Sequence, residues 1–235
     1  MAEKRWIPLE ANPDVINEYI DNLGFPTLMY KFIDVISCDD WCTDMLPKPV
    51  LGFLFLYKIT QRSKDAVKTR AELSTDISPN IYYMKQTISN ACGTIGLMHI
   101  LANAVLSEGI PLKEQSFLEK FINGTLEMDF DQRGKELEYG EGSEIIEIAH
   151  RSAASSGQSR VPNENERISL HFTAIVPKDW GVYELDGRAG KPIFHGNYDD
   201  FARDACQNVI KRHFFEVDPY DNSYTILALV ANTDF

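Results

Sequence analysis

The apolar segment Asn90–Leu106 constrains the fold more than any other part of this sequence. It is hydrophobic on all sides of a helix rather than along one stripe, and such a helix is stable only when other elements surround it. Val50–Ile59 is rich in aromatic and branched residues, which predicts a strand that is buried on both faces. The chain therefore mixes helices and strands around a helix that runs through the core.

Weaker patterns predict the remaining elements. Asn12 is a typical N-cap, Pro13 occupies the first helical position and Gly24 follows the last apolar residue, so a first helix is expected between them. Residues 62–80 are mixed and fit a helix or a loop. The other predicted helices are 111–123, 127–138, 143–150 and 199–216, and the other predicted strands are 28–36, 168–176, 182–186 and 224–231.

Composition limits the partners. The chain has 235 residues and a net charge of -12, a balance that repels nucleic acid and anionic membrane surfaces and favours a basic partner. Apolar runs are much shorter than the roughly 20 residues that span a bilayer, and no signal peptide is recognisable, so we expect one cytoplasmic domain. Cys38 and Cys42 lack a second ligand pair, so no metal site is predicted.

Cys92 is a candidate nucleophile. Ser89 or Asn90 is expected to cap the apolar helix, which places Cys92 in its first turn. There the unpaired N–H groups and the helix dipole favour a thiolate. The same N–H groups can receive an oxyanion, and Gln86 offers an amide donor nearby. Cysteine is also a common small core residue, and this alternative stays open.

His171 is the histidine that sequence can pair with an acid. A hairpin turn centred between residues 178 and 179 would place His171 opposite Asp186, with Cβ atoms roughly 4.5 to 5.5 Å apart. The same register pairs apolar residues on the other face (Phe172 with Leu185, Ala174 with Tyr183). An ordinary polar pair on a solvated face is the alternative. His99 is expected in the core, about 10 Å along the helix from Cys92, and His150, His195 and His213 at the surface or in turns.

Residues 151–166 form a polar stretch of serine, alanine, asparagine, glycine and glutamate. A loop of this length inside a compact domain is usually functional or a linker. Because the preceding residues hold too few strands to complete a sheet, we expect a surface loop rather than a domain boundary.

Four motifs resemble one family. They are QTISNACGTIGL at 86–97, LHF at 170–172, YELDGR at 183–188 and RWIPLEANP at 5–13. Together they are similar to the ubiquitin carboxyl-terminal hydrolases, peptidase family C12, particularly the small single-domain L-type isozymes. The resemblance implies a single catalytic domain over 1–235 with a papain-like α/β fold, in which helices flank a central antiparallel sheet. It also implies a knotted backbone, an exception to the rule against knots.

The resemblance further implies the site and its chemistry. Cys92 would be the nucleophile, His171 the base and Asp186 its orienting acid, with Gln86 and the Cys92 N–H as oxyanion donors. The enzyme would release small or unfolded adducts from the C-terminal glycine of ubiquitin through an acyl-enzyme, without a cofactor or a metal, and as a monomer. The loop at about 151–166 would cross the active site. The implied substrate contacts are Leu9, Glu10, Asp34, Ser152, Gly157 and Arg160.

Two other functions are also compatible with the sequence. One is hydrolysis of NEDD8 adducts, and the other is ubiquitin binding with little or no turnover. Residues 8–48 contain eight acidic and two basic residues (Glu10, Asp14, Glu18, Asp21, Asp34, Asp39, Asp40, Asp44; Lys31, Lys48). This surplus lies where the resemblance puts ubiquitin's arginine-bearing tail, so we expect KM to rise with salt.

Overall fold

The computed structural model describes residues 4–158 and 168–233. Within these ranges the strands form one six-stranded sheet in the order β1-β6-β2-β3-β4-β5, and every neighbouring pair is antiparallel. The strands are β1 Tyr30–Asp34, β2 Val50–Lys58, β3 Leu170–Lys178, β4 Gly181–Leu185, β5 Ile193–Asn197 and β6 Thr225–Ala231. The predicted antiparallel sheet is confirmed, and β5 is an additional strand that the sequence patterns did not reveal.

Helices cover both faces of the sheet. They are α1 Pro13–Leu23, α2 Asp40–Asp44, α3 Gln61–Leu73, α4 Cys92–Glu108, α5 Phe117–Thr125, α6 Phe130–Tyr139, α7 Ser143–Ser156, α8 Phe201–Asp204 and a π-helix Ala205–Phe215 that continues α8. The first helix is confirmed with its caps: Asn12 accepts the Asp14 N–H, and Gly24 adopts a left-handed conformation.

The sheet separates two hydrophobic clusters. Along β2, Leu54 faces the cluster that contains α4, whereas Phe53 and Phe55 face the cluster beneath the π-helix. Glycines let α4 approach the sheet closely. A Cβ at Gly96 would lie 2.7 Å from Leu54, and one at Gly93 would lie 3.2 Å from Phe172. The predicted burial of α4 and of β2 on both faces is confirmed, and α4 begins directly beside β3.

The predicted cap of α4 is wrong. The helix begins after Ala91, which is fully buried and provides no side-chain hydrogen bond. Ser89 instead pairs with the N-terminal segment, where its N–H donates to Lys4 O and its carbonyl accepts the Trp6 N–H. Asn90 takes a positive φ of 64°, which asparagine tolerates better than most residues. Cys92 nevertheless stands in the first turn of α4, as predicted.

The predicted register of the β3–β4 hairpin is also wrong, by two residues. Ala174 pairs with Leu185 and Val176 with Tyr183, because the turn is centred on Asp179 and Trp180. Both turn residues have positive φ, 46° and 65°, as a type I′ turn requires. Ser78 and Asn80 donate to the Asp179 carboxylate and hold it there. A shift by two preserves which face each side chain occupies.

The stretch predicted as a loop over 151–166 is helical at its start. Residues 151–156 complete α7, and only Gly157 ends the helix. Ala153 and Ala154 are buried where α7 packs on α1, and this burial extends the helix beyond the predicted His150. Residues 159–166 lie outside the described part of the chain. Within the described part, no helix is long and apolar enough to cross a membrane.

Candidate active site

Cys92 lies at the N-terminus of the central helix. It is the first residue of α4 and only 6% exposed. The first N–H groups of a helix have no partner within the helix, so they can stabilise a negative charge at this position. Gly93 lets Leu9 and Phe172 pack against the same turn. The thiol is thereby fixed between the N-terminal segment and β3.

His171 and Asp186 form a buried pair. His171 Nε2 donates to Asp186 Oδ1 over 2.8 Å, and the two residues are 2% and 3% exposed. Asp186 Oδ1 also accepts the Arg188 N–H over 2.8 Å, and Tyr83 donates to the Asp186 carbonyl. Tyr57 packs edge-on against the imidazole, with ring centroids 5.7 Å apart. The structure thus joins the predicted His171 and Asp186, diagonally across the hairpin rather than directly opposed.

Cys92 and His171 change each other's protonation. Burial raises the pKa of the Cys92 thiol, but interaction with His171 outweighs it, and the net pKa lies below the ordinary value. Burial lowers the pKa of His171, but the charge and hydrogen bond of Asp186, followed by Cys92, raise it to about 9. Both shifts favour a thiolate beside an imidazolium.

The second ring nitrogen of His171 remains available for chemistry. Among the described residues, Nδ1 is buried and has no hydrogen-bond partner. A buried polar atom without a partner is costly and is common at functional sites. Because Asp186 holds Nε2, Nδ1 is the nitrogen that can exchange a proton with the thiol or with a bound molecule.

Gln86 lies against the end of β4. Its backbone N–H donates to Gly187 O, and its side-chain Nε2 donates one hydrogen to Ile88 O, both over 2.9 Å. A Cβ at Gly187 would lie 2.9 Å from the Gln86 Cβ, so glycine permits this approach. Gln86 Oε1 is buried and unpartnered among the described residues. The second Nε2 hydrogen gives the amide a further donor.

The predicted substrate contacts lie in different parts of the structure. Leu9 is 7% exposed in the core, while Ser152 is exposed on α7. Glu10 and Asp34 line one groove of about 530 Å³, and Gly157 packs against the Glu10 carboxylate so closely that a Cβ would collide with it. Arg160 lies outside the described residues.

Sequence reasoning missed a second charged cluster. Glu184 is fully buried and receives Arg70 Nη2 over 2.9 Å and His195 Nε2 over 2.9 Å. The expectation that His195 lies at the surface is therefore wrong. His150 is also buried, between Thr94 Oγ1 and Ile7 O. The signal that could reveal Glu184 is its place two residues before Asp186, on the same face.

Two buried histidines are neutral, unlike His171. Burial lowers the pKa of both His99 and His150 to about 4. His99 sits between Leu185 O and the Met84 backbone, which confirms its predicted core position. Within the described residues, no group of three or more His, Cys, Asp or Glu side chains is arranged to hold a metal ion.

Comparison with known proteins points to one family. The family described as ubiquitin carboxyl-terminal hydrolase, family 1 (Peptidase C12) matches residues 6–214. Ubiquitin carboxyl-terminal hydrolase 3 of Arabidopsis thaliana is 37% identical over 99% of this chain and 97% of its own length. Human ubiquitin carboxyl-terminal hydrolase isozyme L1 is 32% identical over 94% of this chain and 96% of its own.

A solved structure has the same fold. The catalytic domain of Trichinella spiralis UCH37 bound to ubiquitin vinyl methyl ester superposes with a TM-score of 0.75. The match covers 99% of this chain and 98% of that one, at 24% sequence identity. It therefore supports the architecture, a papain-like sheet flanked by helices.

Proposed function

This chain belongs to ubiquitin carboxyl-terminal hydrolase family 1, and from that premise we propose how its residues perform the family's hydrolysis. The enzyme is a cysteine-type deubiquitinase, and ubiquitin is its partner. One observation supports the assignment of residues. The buried His171 is hydrogen-bonded to Asp186 and also lowers the pKa of the Cys92 thiol at the start of α4.

In the proposed mechanism the Cys92 thiolate attacks the carbonyl carbon of ubiquitin's C-terminal glycine. Negative charge moves to the carbonyl oxygen, where the Cys92 N–H and the second Nε2 hydrogen of Gln86 can donate to it. His171 then gives its proton to the leaving group, and the C–N or C–O bond breaks. Water, deprotonated by His171, hydrolyses the acyl-enzyme. Asp186 keeps the ring oriented throughout.

The groove that contains Glu10 and Asp34 is proposed to receive the basic tail of ubiquitin. Asp14 lines the same groove, so three carboxylates face it together with Lys31. This charge balance supports the contacts inferred for Glu10 and Asp34. We expect KM for ubiquitin substrates to rise between low and high salt while kcat changes little, because salt screens such attraction.

The finer features of the function are also proposals. We propose that residues 1–235 act as one monomeric catalytic domain in the cytoplasm, without a membrane or nucleic-acid partner, and that small or unfolded adducts are the substrates. We also propose that Ser152 and Gly157 lie near the substrate, whereas the proposed contact Arg160 lies outside the described residues. The knotted backbone stays a prediction, as does activity on NEDD8.

The test is covalent labelling by ubiquitin that carries a C-terminal electrophile. We expect the wild-type chain to be labelled and C92A to be unlabelled, because Cys92 is the proposed nucleophile. C38A is the matched control, since Cys38 is also a buried free thiol, and it should label normally. Labelling of C92A would overturn the assignment. Tight ubiquitin binding without labelling or turnover would favour the binding function, and faster turnover of the NEDD8 substrate would favour NEDD8.

A further inference from the structure

A cavity of about 610 Å³ lies beside His171 and Asp186. His171 and Asp186 both line its wall. The rest of the wall comes from the end of β2, one side of α3 and the turn that follows Asp186. The groove that contains Glu10 and Asp34 shares none of these residues.

The α3 side of the cavity combines an apolar floor with cations at its mouth. Val67 and Ala71 are buried, while Lys64 and Lys68 are exposed one helical turn apart on the same side. The helix is fixed at its start by a capping box between Thr60 and Ser63. Two exposed lysines of a capped helix therefore line this side of the cavity.

The turn after Asp186 adds two more cations. Arg188 is exposed, and Lys191 is tied down where its Nζ donates to Ser74 O over 2.8 Å. The cavity thus has four cationic side chains and two carboxylates, Glu72 and Asp186. His171 engages Asp186, and Lys68 lies 3.9 Å from Glu72. In a chain of net charge -12, this region has the opposite sign.

Proton transfer determines which part of a substrate can reach the cavity. His171 must come within hydrogen-bonding distance of the leaving group in order to protonate it. Residues that follow the scissile bond therefore lie on the imidazole side of the thiol. His171 itself lines the cavity, so we expect the chain attached to the leaving group to run toward it.

We propose that this cavity binds the segment that follows the scissile bond and prefers an acidic peptide there. The inference rests on the proposed function, because it concerns the leaving group of that reaction. Its ligand is a short extended peptide that carries Glu or Asp within a few residues of the cleaved bond. Lys64, Lys68 and Arg188 would supply the attraction.

The test uses ubiquitin with short C-terminal extensions of equal length. Three extensions are compared, and all begin with the same residue. The three residues that follow are all Glu in the first extension, all Gln in the second and all Lys in the third. We expect kcat/KM to fall in the order Glu, Gln, Lys, with a difference of about threefold to tenfold between the extremes at low salt. The difference should shrink toward parity at about 0.5 M salt. The net charge of -12 on the whole chain predicts the reverse order. The order of the kcat/KM values therefore distinguishes attraction by the cavity from attraction by the chain as a whole.

Substitution of the two α3 lysines tests whether the preference for acidic extensions comes from the cavity. K64Q/K68Q should bring the Glu-to-Lys ratio close to one, and K64E/K68E should invert it. K120Q/K135Q is the matched control, since both lysines are exposed and neither lines the cavity; its ratio should stay at the wild-type value. Circular dichroism reports whether each variant folds, and the glutamine pair stays informative if the glutamate pair does not.

Two results would overturn the inference. One is equal or reversed turnover of the Glu and Lys extensions by the wild-type enzyme, and the other is a ratio that K64Q/K68Q leaves unchanged. Failure of the proposed function looks different, because then the Gln extension is not cleaved either and the electrophilic ubiquitin does not label Cys92. The two failures are therefore separable in one set of assays.

Discussion

Two buried histidine–carboxylate pairs lie side by side in this protein. Asp186 accepts from His171 over 2.8 Å, and Glu184 accepts from His195 over 2.9 Å. The two carboxylates are two residues apart along the chain, so they project from the same face of the sheet. Tyr57 contacts the His171 ring, and after burial the charges of Asp186 and Glu184 are the largest influences that raise its pKa.

The pairs differ in what else each carboxylate contacts. Arg70 donates to Glu184 through Nε and Nη2, over 3.1 and 2.9 Å. Burial raises the pKa of Glu184, but Arg70 and His195 outweigh it and lower the pKa to about 2. Asp186 receives His171 and one backbone N–H. The charge of Glu184 is thus neutralised by the guanidinium of Arg70. The charge of Asp186 instead acts on the imidazole of His171, which interacts with the Cys92 thiol.

This difference explains why a histidine–carboxylate pair does not by itself predict catalysis. His195 is held between Glu184 and His213, whose ring centroid is 4.9 Å away. His171 instead has a buried nitrogen without a partner in the described part of the chain. A histidine–carboxylate pair can therefore take part in catalysis only if the second ring nitrogen of the histidine is free to interact with a reactive group. A pair without such a nitrogen can only link neighbouring strands.

The largest effect that separates the pairs is expected for D186N. The amide preserves the size of the side chain but removes the charge that stabilises the imidazolium, and it allows the wrong tautomer. We expect kcat to fall by about 10³ to 10⁴. Steady-state hydrolysis of a C-terminal fluorogenic ubiquitin substrate measures it. A fall of less than tenfold would remove Asp186 from the mechanism.

The second pair should respond in the opposite way. E184Q leaves the guanidinium of Arg70 buried, with a side chain 10% exposed, and without its counter-charge. We expect a loss of about 3 to 5 kcal/mol in the free energy of unfolding, while kcat of the folded enzyme stays within tenfold. Urea unfolding followed by tryptophan fluorescence measures the loss.

An exposed ion pair of the same length provides the control. Arg203 Nη2 lies 2.9 Å from Asp44 Oδ1, with side chains 46% and 57% exposed. D44N should therefore lower the urea concentration at the unfolding midpoint far less than E184Q does. If E184Q and D44N had the same free energy of unfolding, the buried cluster of Glu184, Arg70 and His195 would not stabilise the fold more than an exposed ion pair does.

Much of the fold could be predicted because its signals are local. The first helix carries its own caps in Asn12 and Gly24, and the continuous apolar run of α4 leaves burial as the only stable outcome. The N-cap of α4 could not be predicted, because Ser89 is occupied by the N-terminal segment. That segment lies more than eighty residues away in the sequence, and local patterns do not report such pairings.

The pairing of His171 with Asp186 could be predicted although its register was wrong. Strand side chains alternate, so an error of two residues keeps both on one face, whereas an error of one would have separated them. The turn itself depends on Ser78 and Asn80, which hold Asp179 from a distant loop. Placement of Cys92 beside the pair required the packing of α4 on β3, which spacing along the chain does not determine.

The smallest expected effect concerns the pH dependence of the two pairs. The pKa of His171 is raised to about 9, so kcat/KM should fall as the pH rises through about 9 and the imidazolium loses its proton. Its contribution to stability has the same sign, since it is complete below about pH 6.5 and is lost through about pH 9.

D186N and E184Q should separate on this alkaline limb. Burial lowers the pKa of His171, and Asp186 provides the largest opposing influence, so D186N should move the limb to lower pH by about one unit or more. E184Q should leave it within about half a unit, because Glu184 is neutralised by Arg70 rather than by His171. Profiles of kcat/KM from pH 5 to 10 on a substrate with a neutral leaving group measure both shifts. Equal shifts in the two variants would mean that His171 responds to the combined charge of Glu184 and Asp186. The distinction between the two pairs would then depend on the position of Cys92 alone.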